Sequence, residues 1–241
     1  MNKLLKDVIA AHGGLDRWNE FSTLTARVRG GGALWTIKGQ EGVMDDVTTT
    51  IDLRRQFTSH TPFGGPGLRG SFTPGRVAVE KDTGQVVEER FAPRESFAGH
   101  IQGTPWDLLH VAYFTGYAMW TYLTEPFSLA QPGAEVEEID PWDENGETWR
   151  RLRVVFPEEF AAHCRENVYY VDDKGLIRRH DYVAEVLGSD PAVAAHYISD
   201  HRDVNGIVVP AARRVFLADE DGRPRPEPLI VSIGIEDVRL T

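Results

Sequence analysis

Apolar and polar residues alternate along most of this chain, which is the pattern of half-buried β-strands. Near the N-terminus, Leu24, Ala26 and Val28 alternate with polar neighbours. Farther on, Asn205-Gly206 is a strong two-residue signal for a hairpin turn. The strands predicted in this way are 24–30, 33–38, 43–53, 56–60, 70–73, 76–80, 85–90, 134–139, 148–156, 167–172, 176–187, 192–204, 207–217 and 229–240. Gly188 to Pro191 is predicted to turn the chain between two of them.

Two stretches depart from this alternation. At the N-terminus, Leu4, Leu5, Val8 and Ile9 lie at helical spacing, and glycines end the predicted helix. In the middle, residues 104–127 read TPWDLLHVAYFTGYAMWTYLTEPF, which is apolar on nearly every side. A helix that is apolar all round is a buried helix.

Together these elements predict a single domain over residues 1–241, mainly β with helices (α+β). An antiparallel sheet this long must bury one face, and there are few helices to cover it. We therefore expect one large curved sheet wrapped around the central apolar helix.

The amino-acid composition limits the classes of partner that we expect the protein to bind and the cellular compartment that we expect for it. The formal net charge is -11 and the pI is about 5.2, which disfavours nucleic acid and anionic membrane surfaces. Cys164 is the sole cysteine, so no disulfide can form within the chain. No run approaches the roughly 18 apolar residues of a spanning helix, and the N-terminus carries no export signal. We expect a cytoplasmic protein without membrane insertion; its oligomeric state is left open.

The order of elements resembles a known fold. A helix ending in His12-Gly13-Gly14 is followed by strands, the aromatic helix, and late strands that read GLIRRHDY from Gly175 and NGIVVP from Asn205. This order is similar to that of LolA/LppX-like proteins, whose fold is an open half-barrel plugged by helices. The resemblance implies a carrier that holds lipids between sheet and helices. It also extends to VioE-like proteins, which implies an enzyme that shapes a small molecule without metal or cofactor.

Aromatic residues recur at three- and four-residue spacing along the central helix, so they share a face. Such a stripe indicates either packed core or the lining of an apolar ligand cavity with a few polar points. The stripe and its neighbours are Trp106, His110, Tyr113, Phe114, Tyr117, Trp120 and Tyr122.

A second candidate lies on the strands either side of the Gly188 turn. A four-residue loop places Tyr182 opposite His196 or Tyr197, and His180 near Ile198 or Ser199, so that His180, Tyr182, His196 and Asp200 converge. Such a group can bind a metal or transfer protons, or it can simply pair across the strands. Because no short metal-ligand motif is present, we expect neither metal nor cofactor.

Arginine pairs mark the same late strands. Only one member of Arg178-Arg179 and of Arg213-Arg214 can face inward on an alternating strand. An inward arginine needs a carboxylate or an anionic ligand, whereas an exposed pair is an ordinary basic ladder. We include Arg178 among the candidate ligand contacts, and the loop at Gly64-Gly65-Pro66-Gly67 as a candidate lid.

The leading hypothesis is a soluble carrier for an apolar or aromatic small molecule. The alternative is a cofactor-independent enzyme that uses the same cavity for general acid–base chemistry, and a third possibility is an interaction module filled by its own aromatics. The candidate catalytic residues are His110, Tyr117, Tyr182 and His196. The candidate ligand contacts are Trp106, Tyr113, Phe114, Trp120, Tyr122, Arg178 and His180.

Overall fold

Thirteen antiparallel strands form one continuous sheet in the structure, a computed structural model that describes residues 1–188 and 192–241. The predicted turn at Gly188 to Pro191 therefore falls largely outside the described residues. The strands are β1 Thr23–Gly31, β2 Val47–Asp52, β3 Phe57–Thr61, β4 Leu68–Thr73, β5 Arg76–Lys81, β6 Val86–Phe91, β7 Glu135–Glu144, β8 Glu147–Val155, β9 Glu166–Val171, β10 Ile177–Val183, β11 Val193–Val204, β12 Ile207–Leu217 and β13 Val231–Leu240. The α-helices are α1 Lys3–Ala11, α2 Leu15–Trp18, α3 Ala33–Lys38 and α4 Leu108–Thr124.

The sheet consists of two meanders joined at their ends. Its order is β6-β5-β4-β3-β2-β1-β13-β12-β11-β10-β9-β8-β7, so the first and last strands of the chain pair in the middle. The chain leaves one edge of the sheet at β6, runs through α4, and rejoins the opposite edge at β7. The sheet is therefore an open half-barrel around the apolar helix, as the sequence predicts.

Helix α4 fills the concave side because nearly all of its side chains are apolar. Every residue from Leu109 to Thr124 except His110 is buried. The helix begins at the Asp107 cap, whose carboxylate accepts a hydrogen bond of 2.8 Å from the His110 backbone N–H. It ends before the Glu125-Pro126 pair, since proline cannot continue a helix.

One predicted strand is wrong. Residues 33–38 form α3, a short helix that buries Leu34, Trp35 and Lys38 at helical spacing. Gly32 and Gly39 flank it at φ angles of 105° and 67°, which glycine adopts readily. The spacing of apolar residues over six positions fits either a helix or a strand. The flanking glycines favour the helix.

The outer face of the sheet holds a buried arginine, Arg179, whose side chain is fully covered. It lies 3.1 Å from the Glu144 carboxylate and 2.7 Å from the Asp181 carboxylate. Its guanidinium lies 4.7 Å from the centroid of the Tyr170 ring and 5.4 Å from that of Trp142. This cluster joins the end of the β7–β8 hairpin to β10 across the outer face of the sheet.

The two edges of the sheet differ in character. On β6, Val87 is 54% exposed and Phe91 is 67% exposed. The strand at the other edge, β7, carries several carboxylates and Pro141, which has no backbone N–H to donate to an added strand.

No helix in the described part of the chain is long and apolar enough to cross a membrane.

Candidate functional site

A buried chain of hydrogen bonds runs through the centre of the molecule. The Tyr117 hydroxyl lies 3.1 Å from His163 Nδ1, and the Tyr122 hydroxyl lies 2.7 Å from His163 Nε2. The Tyr122 and Tyr182 hydroxyls are 2.9 Å apart. Four side chains are thus joined by three hydrogen bonds in an interior that is otherwise mostly apolar.

Different elements bring these side chains together. Tyr117 and Tyr122 come from α4, Tyr182 from β10, and His163 from the irregular segment between β8 and β9. Burial lowers the pKa of His163 well below its ordinary value and raises the pKa of Tyr122 well above its own. The imidazole is therefore neutral, donating from one nitrogen and accepting at the other.

A second polar cluster lies beside this chain and carries charge. Glu125, directly after α4, places one carboxylate oxygen 3.0 Å from His180 Nδ1 and the other 3.3 Å from the Arg213 guanidinium. All three side chains are almost completely buried. Burial by itself raises the pKa of Glu125, but the charges of His180 and Arg213 bring it below its ordinary value.

The strand register explains how His180 reaches this cluster. His180 pairs directly with His196 and Tyr182 pairs with Ala194, so the predicted register is wrong by two residues. The connection includes the 3₁₀ turn Glu185–Leu187 and is longer than the four residues assumed. Asp200 does not converge with the histidines; it lies farther along β11 and pairs with the Arg202 side chain. Glu125 provides the carboxylate instead.

Several interior side chains have hydrogen-bonding atoms without a partner among the described residues, among them Glu125 Oε1, His180 Nδ1 and Arg213 Nε. Both ring nitrogens of His196 are buried without a partner among the described residues, and so is the Tyr169 hydroxyl. His196 meets the Tyr122 ring edge to face at 4.6 Å between centroids, and Tyr169 stacks on His180 at 4.2 Å. Burial lowers the pKa of His196 well below its ordinary value, so this imidazole is neutral.

Small voids adjoin the hydrogen-bonded chain. One of about 30 Å³ is lined by residues that include Phe114, Ala118, Tyr122 and Tyr182. Another of about 20 Å³ also touches Phe114, His163 and Tyr182. A water molecule occupies about 30 Å³ in the liquid, so neither void holds an organic ligand in this conformation.

A much larger cleft opens at the surface above the N-terminus of α4. Its volume is about 690 Å³, and its walls come from residues 39–47, the loop at 62–66, and Leu108. The predicted lid loop at Gly64–Gly67 thus contributes to the wall of this cleft. Met44 lines the 30 Å³ void beneath, while its neighbour Val43 lines the cleft.

The remaining candidate residues lie outside this arrangement. His110 serves the cap of α4, where its Nδ1 accepts a hydrogen bond of 3.2 Å from the Asp107 backbone N–H. The Trp120 indole N–H donates to the Asp52 carbonyl at 2.8 Å. Trp106 packs against Phe97, with ring centroids 5.7 Å apart.

Tyr113 and Arg178 also lie outside this arrangement, and Tyr113 is buried beneath a surface cleft. The Tyr113 hydroxyl accepts from Arg94 at 3.5 Å, in a shallow cleft on the flank of α4. Arg178 is partly exposed and lies 3.5 Å from the Asp172 carboxylate. The structure therefore brings together Tyr117, Tyr122, His180, Tyr182 and His196, with Phe114 beside them.

Sequence reasoning overlooked the residues that link this group. His163 lies in a segment without periodicity, so no pattern assigns its side chain to a face. Glu125 had a usable signal: it is a lone carboxylate at the end of an otherwise apolar helix. Arg213 was recognised as one of two neighbouring arginines, of which only one can face inward. The strand register that makes Arg213 the inward one could not be derived from the sequence.

The interior can transfer protons and bind polar groups. The Tyr117–His163–Tyr122–Tyr182 chain is continuous, and a neutral imidazole can take a proton at one nitrogen and release one at the other. No group of three or more His, Cys, Asp or Glu side chains within residues 1–188 and 192–241 is arranged to hold a metal ion.

Comparisons with known proteins find relatives in structure. No protein-family model matches the sequence, and no curated protein matches it. A LolA-superfamily protein from Nitrosomonas europaea superposes with a TM-score of 0.54 at 8% identity, over 98% of this chain and 93% of that one. A DUF1329-family protein from Desulfovibrio piger superposes with a TM-score of 0.55 at 11% identity, over 98% of this chain and 91% of that one.

A third solved structure is a putative outer membrane lipoprotein-sorting protein domain from Vibrio parahaemolyticus. It superposes with a TM-score of 0.54 at 8% identity, over 99% of this chain and 91% of that one. At these identities the likeness establishes the fold, which is the LolA/LppX-like half-barrel that the sequence resembles.

Proposed function

We propose that this protein binds a small, mainly apolar molecule between the curved sheet and α4, and acts as its carrier. The observation that carries the proposal is a set of polar atoms on His196 and Tyr169 that are fully buried and have no partner within residues 1–188 and 192–241. Leaving such groups without hydrogen bonds costs about 1–3 kcal/mol each. A ligand with a polar group would satisfy them while its apolar part replaces side-chain contacts.

The route to the interior leads through the 690 Å³ cleft. Val43 lines this cleft, Met44 and Trp35 line the void beside Tyr122, and all three belong to the segment between β1 and β2. Binding therefore requires this segment to move outward, together with the loop that carries Gly64. The Vibrio structure, named as a lipoprotein-sorting domain, supports an apolar cargo for this architecture.

Binding of the uncharged fluorescent probe N-phenyl-1-naphthylamine tests the proposal. We expect saturable binding to the wild type and about tenfold weaker binding to Ala118→Leu, whose added methyl groups fill the void that Ala118 lines. Met119→Leu is the matched control, because it lines the same void and nearly conserves volume.

Native mass spectrometry of freshly purified protein provides the second measurement. A co-purified small molecule supports the proposal. If no small molecule is found and the probe shows no saturable binding, the interior is a filled core and the proposal is wrong.

A cofactor-independent enzyme is the second candidate, and the continuous chain through His163 favours it. In that case the ligand is a substrate, and Tyr182, which lines both voids, is the group that exchanges a proton with it. Turnover of the bound compound that is lost in His163→Gln while affinity is retained would distinguish an enzyme from a carrier.

A further inference from the structure

The hydrogen-bonded chain Tyr117–His163–Tyr122–Tyr182 has more hydrogens than bonds. Each tyrosine hydroxyl has one hydrogen to donate. Both nitrogens of His163 face hydroxyls, and burial lowers its pKa well below its ordinary value, so the neutral ring adds one more hydrogen. Four hydrogens therefore serve three hydrogen bonds, of 3.1, 2.7 and 2.9 Å. Whichever way the bonds run, one hydrogen of the chain is unused.

The direction of the bonds decides which hydroxyl keeps the unused hydrogen. If Tyr117 donates to Nδ1 of His163, the ring hydrogen lies on Nε2 and is donated to Tyr122. The unused hydrogen then lies on Tyr182 or Tyr122, depending on which of the two donates to the other. If the ring hydrogen lies on Nδ1 instead, each hydroxyl donates toward Tyr117, which keeps the unused hydrogen.

The three tyrosines differ in the space beside them. Tyr117 is fully buried and lines neither of the two small voids. Tyr122 lines the void of about 30 Å³, and Tyr182 lines both voids. An acceptor that enters either void therefore lies beside Tyr122 or Tyr182 and favours the bond directions that leave the unused hydrogen on this pair.

The imidazoles near Tyr182 do not take this hydrogen. His196 lies 6.0 Å from Tyr182 between ring centroids, and neither of its nitrogens has a hydrogen-bond partner in the described part of the chain. His180 has Nε2 bonded to the Asn167 amide and Nδ1 beside Glu125. Tyr182 itself is held by stacking on His163, with 3.9 Å between centroids.

The same void has a second unused hydrogen on its wall. The Trp35 indole N–H is buried without a partner among the described residues, and Trp35 lines the 30 Å³ void. An indole N–H only donates. The hydroxyl of Thr115, which also lines this void, already donates to the Val111 carbonyl at 2.8 Å. The side chains around the void therefore call for a hydrogen-bond acceptor.

The walls of the two voids carry no formal charge. Among the described residues that line them, none is Asp, Glu, Lys or Arg, and His163 is neutral. A charged group in this space would lose its hydration without gaining an opposite charge, which is costly. The acceptor that suits these walls is therefore a neutral one.

We propose that the ligand carries a neutral carbonyl group, as in a ketone or an ester, which accepts the unused hydrogen of the Tyr122–Tyr182 pair. This inference rests on the proposed binding function and names the class of ligand. The apolar part of the ligand lies among the apolar side chains around the two voids. A ligand without an acceptor leaves the hydroxyl hydrogen unpaired, and sites built to form a hydrogen bond reject such analogues.

Acetophenone and ethylbenzene test this selection, because they share a phenyl ring and a two-carbon side chain and differ in the carbonyl oxygen. Each compound competes with N-phenyl-1-naphthylamine, and the ratio of the two inhibition constants is compared between variants, which cancels their different solubility in water. We expect Tyr122→Phe/Tyr182→Phe to shift this ratio about tenfold against acetophenone. Tyr113→Phe/Tyr197→Phe is the matched control, because it also removes two hydroxyls and neither residue lines a void.

The carbonyl stretching vibration of bound acetophenone gives a measurement that needs no variant. A hydrogen bond to the oxygen weakens the C=O bond and lowers its infrared frequency. With the carbonyl carbon labelled with carbon-13, we expect a lower frequency in the wild-type complex than in hexane. The Tyr122→Phe/Tyr182→Phe variant should remove this shift.

An unshifted carbonyl frequency in the wild-type complex would overturn this inference and leave the binding function standing. An inhibition ratio that is equal in the wild type and in Tyr122→Phe/Tyr182→Phe would do the same, as would an equal change in the control. Failure of acetophenone to displace the bound probe would also overturn it. Absence of saturable probe binding to the wild type would instead contradict the binding function itself.

Discussion

At Gly116, α4 packs closely against Phe72 of β4. A Cβ atom at this position would lie 2.3 Å from Cβ and Cγ of Phe72, and neither atom is the free end of a flexible chain. Helix propensity alone would favour alanine here by about 1 kcal/mol. The steric conflict is larger, because overpacking a dense core costs about 1–3 kcal/mol and often more.

We therefore expect Gly116→Ala to lower the free energy of unfolding by about 2 kcal/mol, measured by urea denaturation. Gly103→Ala is the control, since a Cβ at Gly103 meets no atom within 4 Å. An unchanged midpoint in Gly116→Ala would show that the helix can shift away from β4 at little cost.

At the same scale, part of the site was predictable from the sequence. Strand periodicity placed His180 and Tyr182 on one face of β10, because alternate residues on a strand must share it. It did not fix which residues pair across the strands, since that depends on the length of the connection. His163 acquires its role only from tertiary contacts with α4 and β10.

The N-terminus of α4 depends on a reciprocal cap. Asp107 accepts from the His110 backbone N–H at 2.8 Å, and His110 Nδ1 accepts from the Asp107 backbone N–H at 3.2 Å. The Asp107 carboxylate also lies 2.6 Å from Arg90 on β6, which ties the helix to the edge of the sheet. In this conformation His110 therefore has a structural role, as part of the cap of α4.

We expect Asp107→Ala to cost about 1 kcal/mol of stability through the loss of this cap. Asp107→Ser keeps a hydrogen-bond acceptor and should recover most of that loss, while removing the exposed contact with Arg90. Thermal unfolding of the two variants measures the difference. If serine is no better than alanine, the ion pair and not the cap stabilises this end of the helix.

At the scale of helices and strands, the sequence predicts the type and order of the elements well where the hydrophobic pattern extends over many residues. The thirteen strands correspond to segments with sustained alternation, and α4 corresponds to the long apolar run. The error at α3 comes from its length, because six residues hold too few turns to distinguish the two periods. Gly32 and Gly39, which flank this segment, start and end the helix.

For the whole molecule, buried histidines link stability to pH. Burial lowers the pKa of His12, His60, His163, His196 and His201 from 6.5, to about 4 for His60 and for His201. Unfolding restores the ordinary value, so the unfolded chain binds protons that the folded protein excludes. The stability contributed by the neutral imidazoles is complete above pH 6.5 and is lost as the pH falls.

We expect the free energy of unfolding to fall steeply between pH 6.5 and 4, with His60 alone accounting for about 3 kcal/mol at pH 4. Urea denaturation across this range measures the slope, and His60→Gln should reduce it. A stability that is flat from pH 7 to 5 would show that these histidines titrate normally in the folded protein.

The unequal edges of the sheet have a consequence for association. A strand from another molecule can add to β6, where Val87 and Phe91 are exposed. If it approaches β7 instead, it meets more carboxylates than the two on β6, and Pro141 has no backbone N–H to pair with it. Growth by strand addition is thus possible at one end only, so two molecules joined through β6 would form a closed pair with no free end from which a filament could grow.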